Sequence, residues 1–249
     1  MWDYRHNDKK GFFSAGKDYI ALTKSFNKKD ARFAALALLI SVIFANLIAI
    51  IPLTIYARGD EPANPFWFSF WFNIVGAAVI STLVFILSRV TGHGASSLGL
   101  NKKGTIKSIL LAVVIGSIGL LLVLFRLGGI SNVKLPYTAA LIMPRILWLL
   151  VASFGEELLF RAYIGPRLYG VFKSAFVSIV VTGLSFGLMH FAAIIPIMIV
   201  GAGVELSFML VAMPIYLVWH IIYHFVYAKY NNIWGPTLLH AFGNFLLLL

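Results

Sequence analysis

The sequence predicts an all-α fold, a polytopic bundle of seven or eight transmembrane helices, and three observations carry that prediction. Of its 249 residues 60% are hydrophobic and only 12% are charged, giving a mean hydropathy of +0.90, far outside the range of soluble domains. The apolar residues fall into runs long enough to cross a bilayer as helices, and the alternating segments of an outer-membrane barrel are absent. The basic residues collect between those runs, so the net charge of +11 reads as membrane topology and not as a nucleic-acid surface. A lipid bilayer is the expected partner, nucleic acid is not, and the expected location is a cell membrane.

Met1 to Arg32 is polar and mixed in charge, a segment expected on the cytoplasmic side. The first apolar run begins only at Phe33, too late for a secretory signal, so Phe33 to Tyr56 is read as an uncleaved first span. A loop with Arg58, Asp60, Glu61, Pro62 and Pro65 leads into the second span, Phe66 to Leu87, whose aromatic start resembles an interfacial belt. Arg89 to Lys107 holds Arg89, Lys102, Lys103 and Lys107 without an acid, among Gly92, Gly94, Gly99 and Gly104. It reads as a cytoplasmic loop and places the N-terminus in the cytoplasm.

The third span is Ile106 to Leu127. After an outer loop from Gly128-Gly129 to Pro136, the fourth begins near Tyr137 or just past Pro144 and Arg145, and ends at Ile164. Gly165-Pro166-Arg167 and Lys173 then separate it from the fifth, Ser174 to Ile195. Pro196 to Glu205 reads as a re-entrant piece or a short extra helix, which decides between seven and eight spans. Leu206 to Tyr227 and Trp234 to Leu249 complete the series. No repeat or linker interrupts it, so residues 33–249 read as one integral membrane domain behind the 1–32 segment.

Inside the fourth span sits Gly155-Glu156-Glu157-Leu158-Leu159-Phe160-Arg161. A charged side chain near a bilayer centre costs ~2.5–3.5 kcal/mol on insertion scales, so such a cluster needs a purpose. Glu157 and Arg161 are i and i+4 and share a helix face, where an ion pair offsets part of that cost. Glu156 lies about 100° around the axis with no partner on its own helix, as befits a carboxylate kept for chemistry. Two further helices bring polar groups to membrane depth: His190 on the fifth span, and the i, i+4 pair His240 and Asn244 on the last. At about 1.5 Å per residue, Glu156 lies about 16 Å beyond Arg145 and His240 about 9 Å beyond Trp234, so side chains entering from opposite sides can meet.

With no cysteine in the chain, disulfides, thiolate metal sites and cysteine nucleophiles are excluded. Ser178, Ser185 and Ser207 have no evident base. His6 and His93 read as solvated loop residues, and His220 and His224, i and i+4 on the penultimate span, as candidates to line a cavity, against the interfacial look of Trp219, Tyr223 and Tyr227.

Glu156-Glu157-x-x-x-Arg161, Phe186-x-x-x-His190 and His240-x-x-x-Asn244, in this order inside apolar helices, resemble the three motifs of the CPBP family. These are intramembrane proteases related to the type 2 CAAX prenyl endopeptidase and to the bacteriocin-processing and self-immunity (Abi) proteins. The resemblance covers about the last 40% of the chain, with a motif-bearing core at 144–249. It implies a helical core around a polar cavity and hydrolysis of a peptide bond in a membrane-associated peptide or protein. By position it makes Glu156 the general base, His190 the group that holds and polarises the water, and His240 and Asn244 the oxyanion donors, with Glu157 held by Arg161. The chain departs from the pattern at Ala162, where many members have glycine, and over Phe191 to Ile194, which lacks an asparagine often found there.

Glutamate-activated water needs no cofactor, and that is the expectation. Glu156, His190 and His240 are also the candidates for a His₂Glu zinc site, although no His-Glu-x-x-His pair preorganises it. Two rival readings remain from other classes. One is a non-catalytic immunity or scaffold protein binding a peptide in the same cavity, the other an ion-coupled transporter, which the absence of an internal repeat disfavours.

Overall fold

The computed structural model describes residues 14–57, 65–133, 138–199 and 206–247. Nine α-helices are found among them: α1 Lys17–Ser25, α2 Lys28–Ala57, α3 Pro65–Val90, α4 Thr105–Leu127, α5 Ala139–Glu157, α6 Gly165–Phe172, α7 Ala175–Ile199, α8 Leu206–Tyr230 and α9 Trp234–Leu246. A π-helical stretch, Leu158–Ile164, joins α5 to α6. No strand occurs among the described residues. Within α2, α3, α4 and α8, stretches of 20 to 25 residues are long and apolar enough to cross a membrane, and α7 adds a shorter apolar stretch. The fold is therefore the expected helical membrane bundle. The predicted loop at 58–64, the segment 200–205 and His6 lie outside the described residues.

The helices do not all begin and end where the sequence places them. α2 starts at Lys28, five residues before the apolar run, because Asn27 and Asp30 form a reciprocal cap. Asn27 Oδ1 accepts from the Lys29 and Asp30 amides at 2.7 and 3.3 Å, and Asp30 Oδ2 accepts from the Asn27 amide at 2.9 Å. The fourth span does not stop at Ile164. The π stretch runs directly into α6, where Pro166 sits in the first turn, a position that tolerates its missing N–H. α7 likewise continues through Pro196 to Ile199.

Residues 14–25 are also more than a polar tail. The Gly16 amide donates to Ala228 O at 2.9 Å, Tyr19 is buried with its hydroxyl 3.3 Å from His224 Nε2, and α1 packs on α6 and α8. His93, expected in solvent, is bound instead: its Nε2 lies 2.9 Å from Oδ1 of the buried Asp30.

The core lies around the π stretch, whose seven residues are all buried, packed against Ala34 and Ala37 of α2, Val84 of α3 and Phe186 of α7. Large apolar side chains cover the outside of the bundle, as on α4, where Leu121, Leu122 and Phe125 are exposed. In lipid such surfaces give no drive to associate, so helices approach through small residues. Two of these contacts set the site. A Cβ on Gly155 would come within 3.1 Å of Ala77 Cα, and one on Gly235 would collide with Ser108, so α3 meets α5, and α4 meets α9, almost backbone to backbone.

Candidate active site

Arg167 fixes the lower end of the π stretch. Fully buried, it donates to Tyr163 O at 3.2 Å and Ala162 O at 3.4 Å, and its guanidinium lies 3.9 Å from the Tyr163 ring centre and 4.4 Å from that of Phe26. Two carbonyls of the stretch thereby gain a side-chain donor just where Pro166 has no N–H to offer. Sequence alone reads this arginine as a loop cation. Glu157 is the last α-helical residue above the stretch, so Glu156 and Glu157 stand on regular helix while Arg161 stands on the widened turn.

Glu157 and Arg161 pair as predicted. Arg161 Nη1 lies 3.1 Å from Glu157 Oε1, both side chains are completely buried, and the guanidinium lies 4.2 Å from the Phe186 ring centre and 5.1 Å from that of Tyr223. The same carboxylate oxygen reaches a third helix: His240 Nδ1 of α9 is 2.7 Å from Glu157 Oε1. A buried carboxylate can hold a histidine in one orientation only if its own charge is met, and Arg161 meets it.

Glu156 is different. Its Oε2 is buried and has no hydrogen-bond partner, yet two imidazole nitrogens face it, His240 Nε2 at 3.7 Å and His190 Nε2 at 3.9 Å. These separations exceed a direct hydrogen bond and are short enough for one water to bridge Glu156 to an imidazole. His190 Nδ1 donates to Phe186 O at 2.9 Å, which leaves the Nε2 of the neutral ring as an acceptor. Asn244 stands one turn beyond His240 on α9, half-buried, without a hydrogen bond to the cluster. The structure thus brings Glu156, Glu157, Arg161, His190 and His240 together and leaves Asn244 at the edge.

Aromatic rings pack around this cluster, and of these Tyr216 and Tyr223 are not singled out as site residues by sequence. Tyr216 stacks on His190 with ring centres 4.6 Å apart and Tyr223 on His240 at 4.6 Å, while Phe186 lies edge-on between the two histidines at 4.7 and 5.9 Å. Tyr223 and Tyr227, read from sequence as an interfacial end, are buried. The signal was present in their spacing, since Tyr216, His220, Tyr223 and Tyr227 mark one stripe of α8. His220 and His224 are buried too, His220 against the Phe186 ring rather than at Glu156. Ser178 and Ser185 donate to their own helix, at Ser174 O and Val181 O, both at 2.8 Å. A cavity of about 220 Å³ opens beside Glu156 and His190, walled by Ala77, Ile80, Met189 and, from α3, Asn73.

Residues 138–246 match the family model described as type II CAAX prenyl endopeptidase Rce1-like. Neither a curated protein nor a solved structure matches the chain. The match takes in every helix that supplies the cluster, from α5 through α9. Over this part of the chain the sequence is similar to the Rce1-like domain of type II CAAX prenyl endopeptidases.

Proposed function

We propose that the chain is an intramembrane endopeptidase in which Glu156 activates a water against a peptide bond of a membrane-associated substrate. The carrying observation is the buried, unpartnered Glu156 Oε2 facing two imidazole nitrogens at 3.7 and 3.9 Å. A carboxylate in that position takes a proton from the water as it attacks and returns it to the leaving amine. His190, fixed by Phe186 O, accepts the water's other hydrogen and aims its lone pair at the carbonyl. His240, held at Nδ1 by Glu157, presents Nε2 to the carbonyl oxygen of the bond under attack. With both ring nitrogens protonated it donates to the oxyanion, joined by Asn244 once a substrate draws that side chain in. Each such donor is worth ~2.7–4 kcal/mol in comparable sites.

The donor set supports water over a metal ion at this point. Zinc with bonds of about 2.0–2.1 Å in a tetrahedron wants ligand atoms ~3.3 Å apart, less than the separations here, and no three His, Asp or Glu side chains among the described residues are disposed to hold an ion. The substrate enters through the apolar-walled cavity beside Glu156, whose Ala77, Ile80 and Met189 suit an extended peptide with apolar side chains. A CAAX-type C-terminus carrying a prenyl group is the substrate that the family's name offers.

The membrane peptidome of cells making the wild-type chain, compared with that of cells making Glu156→Gln, tests the proposal. Peptides that appear only with the wild type, with a shared cleavage position, are expected. Identical peptidomes at equal expression would transfer the cavity to a binding role.

A further inference from the structure

A second cavity, larger than the one beside Glu156, lies at the end of the bundle where α1, the start of α4 and the end of α8 meet. Its volume is about 530 Å³. Lys17, Lys102, Lys103, Lys107 and Lys229 line it, and the one carboxylate among its described lining residues, Asp18, is paired with Lys103 at 2.6 Å. Five positive charges against one negative leave the lining at +4. Nothing in the proposed hydrolysis uses this charge, and the cavity touches none of the cluster residues.

We propose that this cavity binds the phosphate headgroup of an anionic phospholipid. Basic pockets between membrane helices draw such headgroups because each lysine near the surface adds electrostatic attraction that a zwitterionic lipid does not feel. What makes the ligand a lipid and not a soluble anion is the surface below. Ile106 lines the cavity and is 74% exposed, and from it an uninterrupted apolar stripe, Leu110, Val114, Ile118, Leu121 and Phe125, runs down the whole outer face of α4. A headgroup seated among the lysines therefore has its acyl chains delivered onto a helix face made for them.

The first turn of α4 adds a neutral contribution. Its N-cap, Gly104, has φ of 76° and no side chain to cap the helix, and the turn contains no acid, so its amides favour an anion over the lysines' own neighbours. The site also lies next to the framework of α9. Asn232 Nδ2 donates to Asn101 O at 3.0 Å and Thr105 Oγ1 at 2.8 Å, and the Ile233 amide to Gly99 O at 3.2 Å. A lipid held here braces the loop from which the His240 helix starts.

The test uses the full chain in a neutral detergent, titrated with phosphatidylglycerol, with phosphatidylcholine or with inorganic phosphate, and counts bound ligand by native mass spectrometry. Phosphatidylglycerol is expected to bind well below the concentration that phosphatidylcholine needs. Lys102→Gln/Lys107→Gln is expected to weaken it by about fivefold per lysine. Lys28→Gln/Lys29→Gln, which removes the same charge at exposed positions outside the cavity, is expected to leave it unchanged. All four lysines are exposed, so the thermal midpoints of both variants should match the wild type. Equal weakening by the two pairs, equal binding of phosphatidylcholine, or inorganic phosphate binding as tightly as the lipid would each overturn the proposal.

Discussion

His240 Nδ1 lies 2.7 Å from Glu157 Oε1, so the second glutamate of the pair, not the first, holds the histidine of the last helix. The two adjacent carboxylates therefore answer differently to the same change. Glu157→Gln leaves Arg161 a buried cation without its counter-charge and loosens His240, which should cost on the order of 3–5 kcal/mol of stability and lower activity with it. Glu156→Gln removes no hydrogen bond and should melt within a degree or two of wild type while cleavage falls at least ~10². Equal thermal losses in the two variants, measured on purified protein, would make the whole cluster structural.

No hydrogen bond joins Asn244 to the cluster among the described residues, so the role proposed for it lies in the transition state. Asn244→Ala should lower kcat by ~10²–10³ with little change in KM and none in thermal midpoint. A loss confined to KM would reassign Asn244 to substrate binding.

The glutamate-activated water proposed above needs no ion, and on that reading exhaustive treatment with a strong chelator should leave cleavage within about twofold of the untreated rate. Activity lost to the chelator and restored by zinc alone would replace the water by a metal.

Orientation can be read with single cysteines, since the chain has none of its own. Ser97, in the basic loop, is unsuitable because it is buried and accepts from Arg167 at 3.4 Å. Its neighbour Ser96 is exposed, as is Ser131 at the opposite end of α4. Ser96→Cys should react with an impermeant reagent only from the cytoplasmic side and Ser131→Cys only from outside; the reverse pattern would invert the topology.

The class of the fold and the cluster around Glu156 were legible because both are written in contrast. Apolar runs of more than twenty residues admit few folds in lipid, and charges inside them stand out against that background. What sequence misses is written in apolar or ambiguous letters. Nothing in Leu158–Ile164 distinguishes a π stretch from an α-helix, and Gly165-Pro166 looks like a break because the same pair ends many helices. Arg167 and His93 read as solvent-facing because their partners, the carbonyls of Ala162 and Tyr163 and the carboxylate of Asp30, are either backbone or more than sixty residues away. The stacking of Tyr216 and Tyr223 on the two histidines depends on how α8 is rotated against α7 and α9, which only the assembled bundle sets.

The bond from the Gly16 amide to Ala228 O, with Tyr19 against His224, gives the molecule an order in time. The α1 segment has no docking partner until α6 and then α8 have been synthesised, a delay on the order of 10 s at ordinary elongation rates. His240 arrives later still. A ribosome-held chain arrested before residue 165 should therefore expose α1 to protease, and the cluster around Glu157 lacks His240 until α9 has been made. A site that waits for α9 to supply His240 stays incomplete for as long as α1 to α8 are being inserted.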